Sequence, residues 1–212
     1  MYDESKPAAT TGWVDGPRLI EEEYDVEDAV VVGSLLMSLL RHSDRVEIAA
    51  LAQLVNVIAP IRAEPDQPAW KQTTFFPFSL TARFAKGDVL LTQPRVPTVH
   101  SRVLGDVPAA DVVATYDAAS GELSVFAVNR HADDPMTLRL DLRSFGHVQV
   151  LEQIVMGGED LAASNTAWAP ERVAPRRDAN TAVTDTGLSM QMPAVSWTLL
   201  RLSCQPQAGQ SL

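Results

Sequence analysis

The stretch VEIAALAQLVNVIAP, residues 46–60, constrains the fold of this chain more than any other feature. It is a near-continuous apolar run, longer than one ordinary strand needs, interrupted after Glu47 by two uncharged amides, Gln53 and Asn56. Such a run predicts a strand buried on both faces, the pattern of a parallel sheet. A buried amide is costly unless it is hydrogen-bonded, so two of them at the C-terminal end of a buried strand point to a polar pocket. In a β/α barrel that is the end where ligands bind. The other reading is a pair of structural amides that satisfy loop backbone.

The flanking sequence extends the α/β reading. Asp25 suits a helix N-cap, with Glu27 in the first turn and Asp28 three positions on. Val26, Ala29, Val30, Gly33, Leu36, Met37 and Leu40 then recur at helical spacing, and the helix is predicted to end near Ser43 and Asp44. A loop over residues 62–68 leads to a second helical stretch, residues 70–84, which Pro77 must kink or split. Residues 1–17, rich in Pro, Gly and Thr, read as a loop.

Beyond Gly87 the pattern changes to short strands. Residues 112–116 and 123–128 flank Asp117, Ala118, Ala119, Ser120 and Gly121, a hairpin signal. Further strands are expected over residues 136–142, 148–155, 188–192 and 197–202, with a long loop over 157–180. Several short strands with turn signals predict an antiparallel β-sandwich. The tail from Gln205 is poor in apolar residues and is expected to be disordered.

Charge and cysteine usage narrow the function classes. A formal net charge of −10 argues against nucleic acid and against anionic membrane surfaces as partners. One cysteine, Cys204, permits neither an internal disulfide nor a cysteine metal cluster, which fits a reducing compartment. With charged residues ahead of any apolar run, the N-terminus does not read as a signal peptide, and no stretch has the length of a membrane span. The expectation is a cytoplasmic protein with no cofactor. His42, His100, His131 and His147 lie far apart, none at the helical spacing of a zinc pair. The acidic run Glu21, Glu22 and Glu23, with Asp25, Glu27 and Asp28, reads as a solvated helix start. No phosphate loop and no nucleophile elbow is present.

Several segments, in consistent order and spacing, carry a family resemblance. These are EYDVEDAVVVG (residues 23–33), LLRHSDRV (39–46), the apolar run itself, PAWKQT (68–73), FAVNR (126–130) and VSWTLLRL (195–202). Together they resemble the α-L-arabinofuranosidases of glycoside hydrolase family 51, from about Gly12 to Leu202. The resemblance implies a retaining glycosidase of L-arabinose metabolism, built as a (β/α)8 barrel followed by a β-sandwich. Residues 1–86 would then be the last helices and eighth strand of the barrel, residues 87–204 the sandwich and residues 205–212 a tail.

A complete barrel needs about 250 residues, so 212 residues cannot hold barrel and sandwich together. Retaining chemistry requires two carboxyls about 5 Å apart across the scissile bond. The resemblance implies that both glutamates, acid/base and nucleophile, lie upstream of this chain, which supplies no catalytic residue and is expected to be inactive alone. Asp3-Glu4 looks superficially like the nucleophile motif, but Ser5, Lys6 and Pro7 follow where that motif has an aromatic residue and an amide.

By the same resemblance, Gln53 lies in the sugar pocket and hydrogen-bonds an arabinofuranosyl hydroxyl. Its amide, both donor and acceptor, suits that task. Asn56 reads mainly as a loop-stabilising amide, with sugar contact the lesser reading. Trp70 either stacks on sugar at the pocket rim or packs at a helix start, and Trp197 reads as sandwich core. Implied partners are arabinofuranosyl oligosaccharides, the missing barrel portion and further copies of the chain. The rival readings are a non-catalytic sugar-binding or assembly module, and one half of a split arabinofuranosidase. Residues before Gly87 are expected to rearrange or aggregate when the barrel is missing, while the sandwich folds.

Overall fold

A computed structural model describes residues 22–206 except Glu159 and Asp185. Helix α1 (Val26–Arg41) is followed by the short strands β1 (Ile61–Arg62) and β2 (Trp70–Lys71), then helix α2 (Phe75–Phe84). Strands β3 (Asp88–Leu90), β4 (Thr98–Ser101), β5 (Gly105–Pro108), β6 (Ala110–Asp117) and β7 (Glu122–Asn129) come next. They lead to β8 (Met136–Asp141), β9 (Phe145–Gly157), β10 (Arg176–Asp178), β11 (Thr181–Thr184), β12 (Gly187–Met192) and β13 (Ser196–Pro206).

The strands make a six-stranded antiparallel sheet in the order β10-β9-β13-β7-β6-β3, and a three-stranded sheet in the order β11-β12-β8. The predicted hairpin forms as β6 and β7. Asp117 accepts hydrogen bonds from the Ala119 amide (3.0 Å) and the Ser120 hydroxyl (2.8 Å). Gly121 follows at φ +69, where a Cβ would meet the Cys204 carbonyl oxygen at 2.9 Å. A β-bulge between β13 and β9 pairs Arg201 with Glu152 but Leu202 with Val150, skipping Leu151. The extra residue changes which face the even-numbered positions occupy. Val148 and Val150 therefore face the small sheet, while Ile154 and Met156 face the helices.

The large sheet is buried on both sides, which gives three layers. Between the sheets lie Val112, Tyr116, Leu123, Val125, Leu200 and Leu202, with Leu188, Met190 and Met192 from the small sheet. On the opposite face, Val113, Phe126, Val128, Trp197 and Leu199 pack against Val26, Ala29, Val30 and Met37 of α1. Trp197 thus belongs to the core between sheet and helices, not to the core between the two sheets as its strand position suggested. Gly33 makes that approach possible, since a Cβ there would stand 2.3 Å from the Trp197 ring. Arg41 donates to Asp111 at 2.7 Å and Arg130 donates to the Ser34 hydroxyl at 2.8 Å, so α1 is also tied to the ends of β6 and β7.

Helix α1 begins as expected, with a reciprocal cap. The Asp28 amide donates to Asp25 (3.0 Å) and the Asp25 amide to Asp28 (3.1 Å). Helix α2 begins later than expected, at Phe75, with Trp70 and Lys71 in a strand before it. Pro77 then falls in the first turn, where its missing N–H costs nothing, so the helix is neither kinked nor split. The long connection before β11 contains β10, and β13 runs through Gln205 to Pro206. Residues 1–17, Glu4 and Glu21, and the last six residues lie outside the described part.

The largest departure is the apolar run itself. Residues 46–58 form no strand, and Ile48 (87% exposed) and Leu54 (72%) lie in solvent. A strand buried on both faces needs neighbours on both edges to satisfy its backbone. Among the described residues this segment has one isolated parallel bridge, Val55 to Ile61. The expected eighth barrel strand is therefore not formed, and the described chain is two helices with antiparallel sheets.

Candidate functional site

Gln53 and Asn56 stand in a tight loop that the N-terminal end of α1 and the β1–β2 ribbon hold in place. Gln53 is exposed at φ 57, and Asn56 and Val57 follow at φ 63 and 58. Asparagine tolerates this left-handed backbone and valine does not, so Val57 marks local strain. Asn56 carries the loop. Its side-chain oxygen accepts the Ala63 amide (2.7 Å), its own amide donates to Ile61 (2.8 Å), and its carbonyl accepts the Ala59 amide (3.0 Å). The loop-stabilising geometry read from the sequence is present at Asn56.

Gln72 is a buried amide beside this loop that sequence reasoning passed over. Its Nε2 donates to the Ala59 carbonyl (2.7 Å), and its Oε1 accepts the Tyr24 amide (3.2 Å). It therefore joins the loop to the start of α1. Tyr24 adds a bond from its hydroxyl to the Ile58 carbonyl (3.0 Å), and burial, with Asp28 and Glu22 nearby, pushes its phenol pKa up. Gln72 stands between Lys71 and Thr73, so polarity alone gave no signal for it, and its partners lie 13 and 48 positions away. Trp70 is buried on β2 with the Arg62 guanidinium 5.6 Å from its ring centre, and Arg62 pairs with Glu64 at 2.9 Å. Trp70 is thus a packed residue and not an exposed rim.

Two carboxylates do meet elsewhere, Glu122 and Glu152, with Arg201 between them. Arg201 donates to both oxygens of Glu122 (2.7 and 2.8 Å) and to Glu152, whose other oxygen faces Arg177 at 3.3 Å. The guanidinium also lies 4.0 Å from the Phe84 ring centre. Every oxygen is committed to a cation, and no gap is left for a glycosidic bond. This cluster ties α2 to the sheet. The Cys204 thiol is pushed up to about 11 by burial, far from a reactive thiolate.

The histidines lie apart: His42 caps α1, His100 pairs with Asp106 (2.9 Å), and His131 accepts the Asp134 amide (2.9 Å). Among the described residues, no three His, Cys, Asp or Glu side chains gather as a metal site, and no helix is long and apolar enough to cross a membrane.

Concave regions lie elsewhere among the described residues, one of about 450 Å³ beside Arg139, Arg143 and Thr184. A mainly apolar groove of about 560 Å³ opens between the sheets, lined by Leu90, Val96, Val125, Met136, Leu138 and Phe145. A smaller one of about 190 Å³ lies between α1 and α2, beside Val46 and Ala49. Next to it, Val31, Leu35 and Leu39 form an exposed apolar stripe on α1, opposite the face that packs on the sheet.

The sequence model of the α-L-arabinofuranosidase C-terminal domain matches residues 1–196. An intracellular exo-α-(1→5)-L-arabinofuranosidase from Streptomyces lividans is 42% identical over 198 residues, covering 93% of this chain and 30% of that protein. The protein of the same name from Halalkalibacterium halodurans is 41% identical over 192 residues, covering 91% and 38%. Among solved structures, a family 51 α-L-arabinofuranosidase from Bifidobacterium longum superposes with a TM-score of 0.81 at 41% identity, covering 89% of this chain and 37% of that one. The chain thus spans about a third of the length of the relatives it matches.

Proposed function

Because the chain belongs to the α-L-arabinofuranosidase C-terminal domain family of glycoside hydrolase family 51, we propose that it is the C-terminal portion of a retaining exo-α-L-arabinofuranosidase. The whole enzyme removes terminal arabinofuranosyl residues from arabinosides, in the cytoplasm. Its two catalytic glutamates come from a barrel portion that this sequence does not include, so these 212 residues alone are inactive. Residues 1–86 complete the barrel once that portion is present, and residues 87–204 are the sandwich. Gln53 then supplies a hydrogen bond to the terminal sugar, and Asn56 keeps the loop in shape with a weaker claim to sugar contact.

One observation carries the reading: the match extends over nearly the whole chain while covering only a third of each relative. The unpartnered apolar segment 46–58 and the stripe on α1 support it, since both present surface that a barrel would cover. Hydrolysis of a chromogenic α-L-arabinofuranoside provides the test. The chain alone is expected to be inactive, and a sample complemented with the barrel portion active. Robust activity of the chain alone would overturn the proposal, as would an inactive complex of the two parts.

A further inference from the structure

We infer that Trp168 is a sugar-stacking residue that holds the leaving-group side of an arabinofuranosyl oligosaccharide, outside the pocket that takes the terminal sugar. The inference rests on the reading above and adds a residue to it. Of the three tryptophans among the described residues, Trp70 and Trp197 are buried, while Trp168 is 79% exposed. A large apolar ring left in water on a well-fixed loop is a poor arrangement for stability and a good one for binding.

The loop around Trp168 is built, not slack. Trp168 occupies the third position of a turn in which Thr166 and Ala169 exchange backbone hydrogen bonds (3.3 and 3.2 Å), and the Thr166 hydroxyl accepts a further bond from the Ala169 amide (3.1 Å). Just before the turn, Asn165 is buried with three bonds: to Val173 through both amide atoms (2.9 and 2.7 Å), and to the Lys71 carbonyl (3.0 Å). Ser164 bridges to Asp25 at the start of α1, and Leu161 accepts the Val26 amide (3.1 Å).

These bonds tie the loop, through the β1–β2 ribbon, to the candidate site. Lys71 pairs with Ile61 across β1 and β2, and Ile61 accepts the Asn56 amide. Trp168 is therefore connected through Asn165, Lys71 and Ile61 to the loop that carries Gln53. An exo-acting enzyme encloses the terminal sugar and leaves the remaining chain outside. The C–H face of that next sugar is what an indole at the edge would cover, since the ring is large, rigid and carries a negative π face. On the same loop the Arg172–Asp160 pair (2.9 Å) offers donors and an acceptor to sugar hydroxyls.

The first experiment titrates the 212-residue chain with α-(1→5)-linked arabinotriose, followed by saturation-transfer NMR and tryptophan fluorescence. The intact chain is expected to bind, Trp168→Ala to bind about three- to tenfold more weakly, and Trp168→Phe to fall between. Unchanged thermal melting of both variants checks that the fold is intact. Equal binding by intact chain and Trp168→Ala, or no binding by the intact chain, overturns the inference. So does a Trp168→Ala chain that binds the sugar normally but fails to associate with the barrel portion, which would make Trp168 a protein contact.

In the complemented sample, Trp168→Ala is expected to raise KM for the trisaccharide at nearly constant kcat. Hydrolysis of the small chromogenic substrate, whose aglycone offers no further sugar to cover, should change less than hydrolysis of the trisaccharide. Failure of that small substrate sinks the proposed function while the arabinotriose titration still decides the role of Trp168.

Discussion

Residues 46–58, with ten apolar residues of thirteen, and strand β13, with five of eleven, end in surroundings opposite to what those counts suggest. Leu199, Leu200 and Leu202 are fully buried, whereas Leu54 is 72% and Ile48 87% exposed. Hydrophobicity does not decide which is buried; neighbours do. Strand β13 has β7 on one edge and β9 on the other, with helices over one face and the small sheet over the other. The earlier run has a single isolated bridge. An apolar run therefore states a requirement for burial on both faces, and only the rest of the molecule decides whether that requirement is met.

The contrast should appear first as stability. Trp197→Ala removes the largest buried side chain of the β13 face and is expected to cost about 3–5 kcal/mol, measured by denaturant unfolding of the whole chain. A loss below about 1 kcal/mol would mean that α1 is not packed on the sheet as described.

Gly33→Ala sharpens the same point from the helix side. Alanine favours the helix by about 1 kcal/mol, yet the new Cβ would lie 2.3 Å from the Trp197 ring, and overpacking of that kind costs about 1–3 kcal/mol. A net loss of up to about 2 kcal/mol is expected. Because the penalty exists only through Trp197, it should largely disappear in the Trp197→Ala background, a coupling that a double-mutant cycle reads directly. A stabilised Gly33→Ala chain would show that the helix stands off the sheet.

What was legible in the sequence follows from the same comparison. The cap at Asp25, the hairpin at residues 117–121 and the strands after Gly87 rest on local signals, and each is present. The start of α2 was missed because Trp70 and Lys71 pair with Arg62 and Ile61, a partner choice that periodicity does not encode. Trp197 was assigned to the wrong face because β6, β7 and β13 are buried on both sides, so alternation could not say which side held helices. At the candidate site, Asn56 was readable as a turn-forming amide, whereas Gln72 and Trp168 depend on contacts with residues distant in sequence.

The smallest effect carries the most information about residues 46–58. Leu54→Ala in this chain should change stability by no more than about 0.5 kcal/mol, as for any exposed position, although a leucine in so apolar a run would ordinarily be taken as core. Repeating the substitution with the barrel portion present separates two explanations of that exposure. If the segment is a strand waiting for neighbours, it becomes buried on assembly, and the same substitution should then cost about 2–5 kcal/mol. That cost would appear as weaker association of the two parts, measured by calorimetric titration. If the cost stays near zero in both settings, residues 46–58 are a loop in the assembled protein too, and Gln53 loses the strand end that would aim it at a sugar.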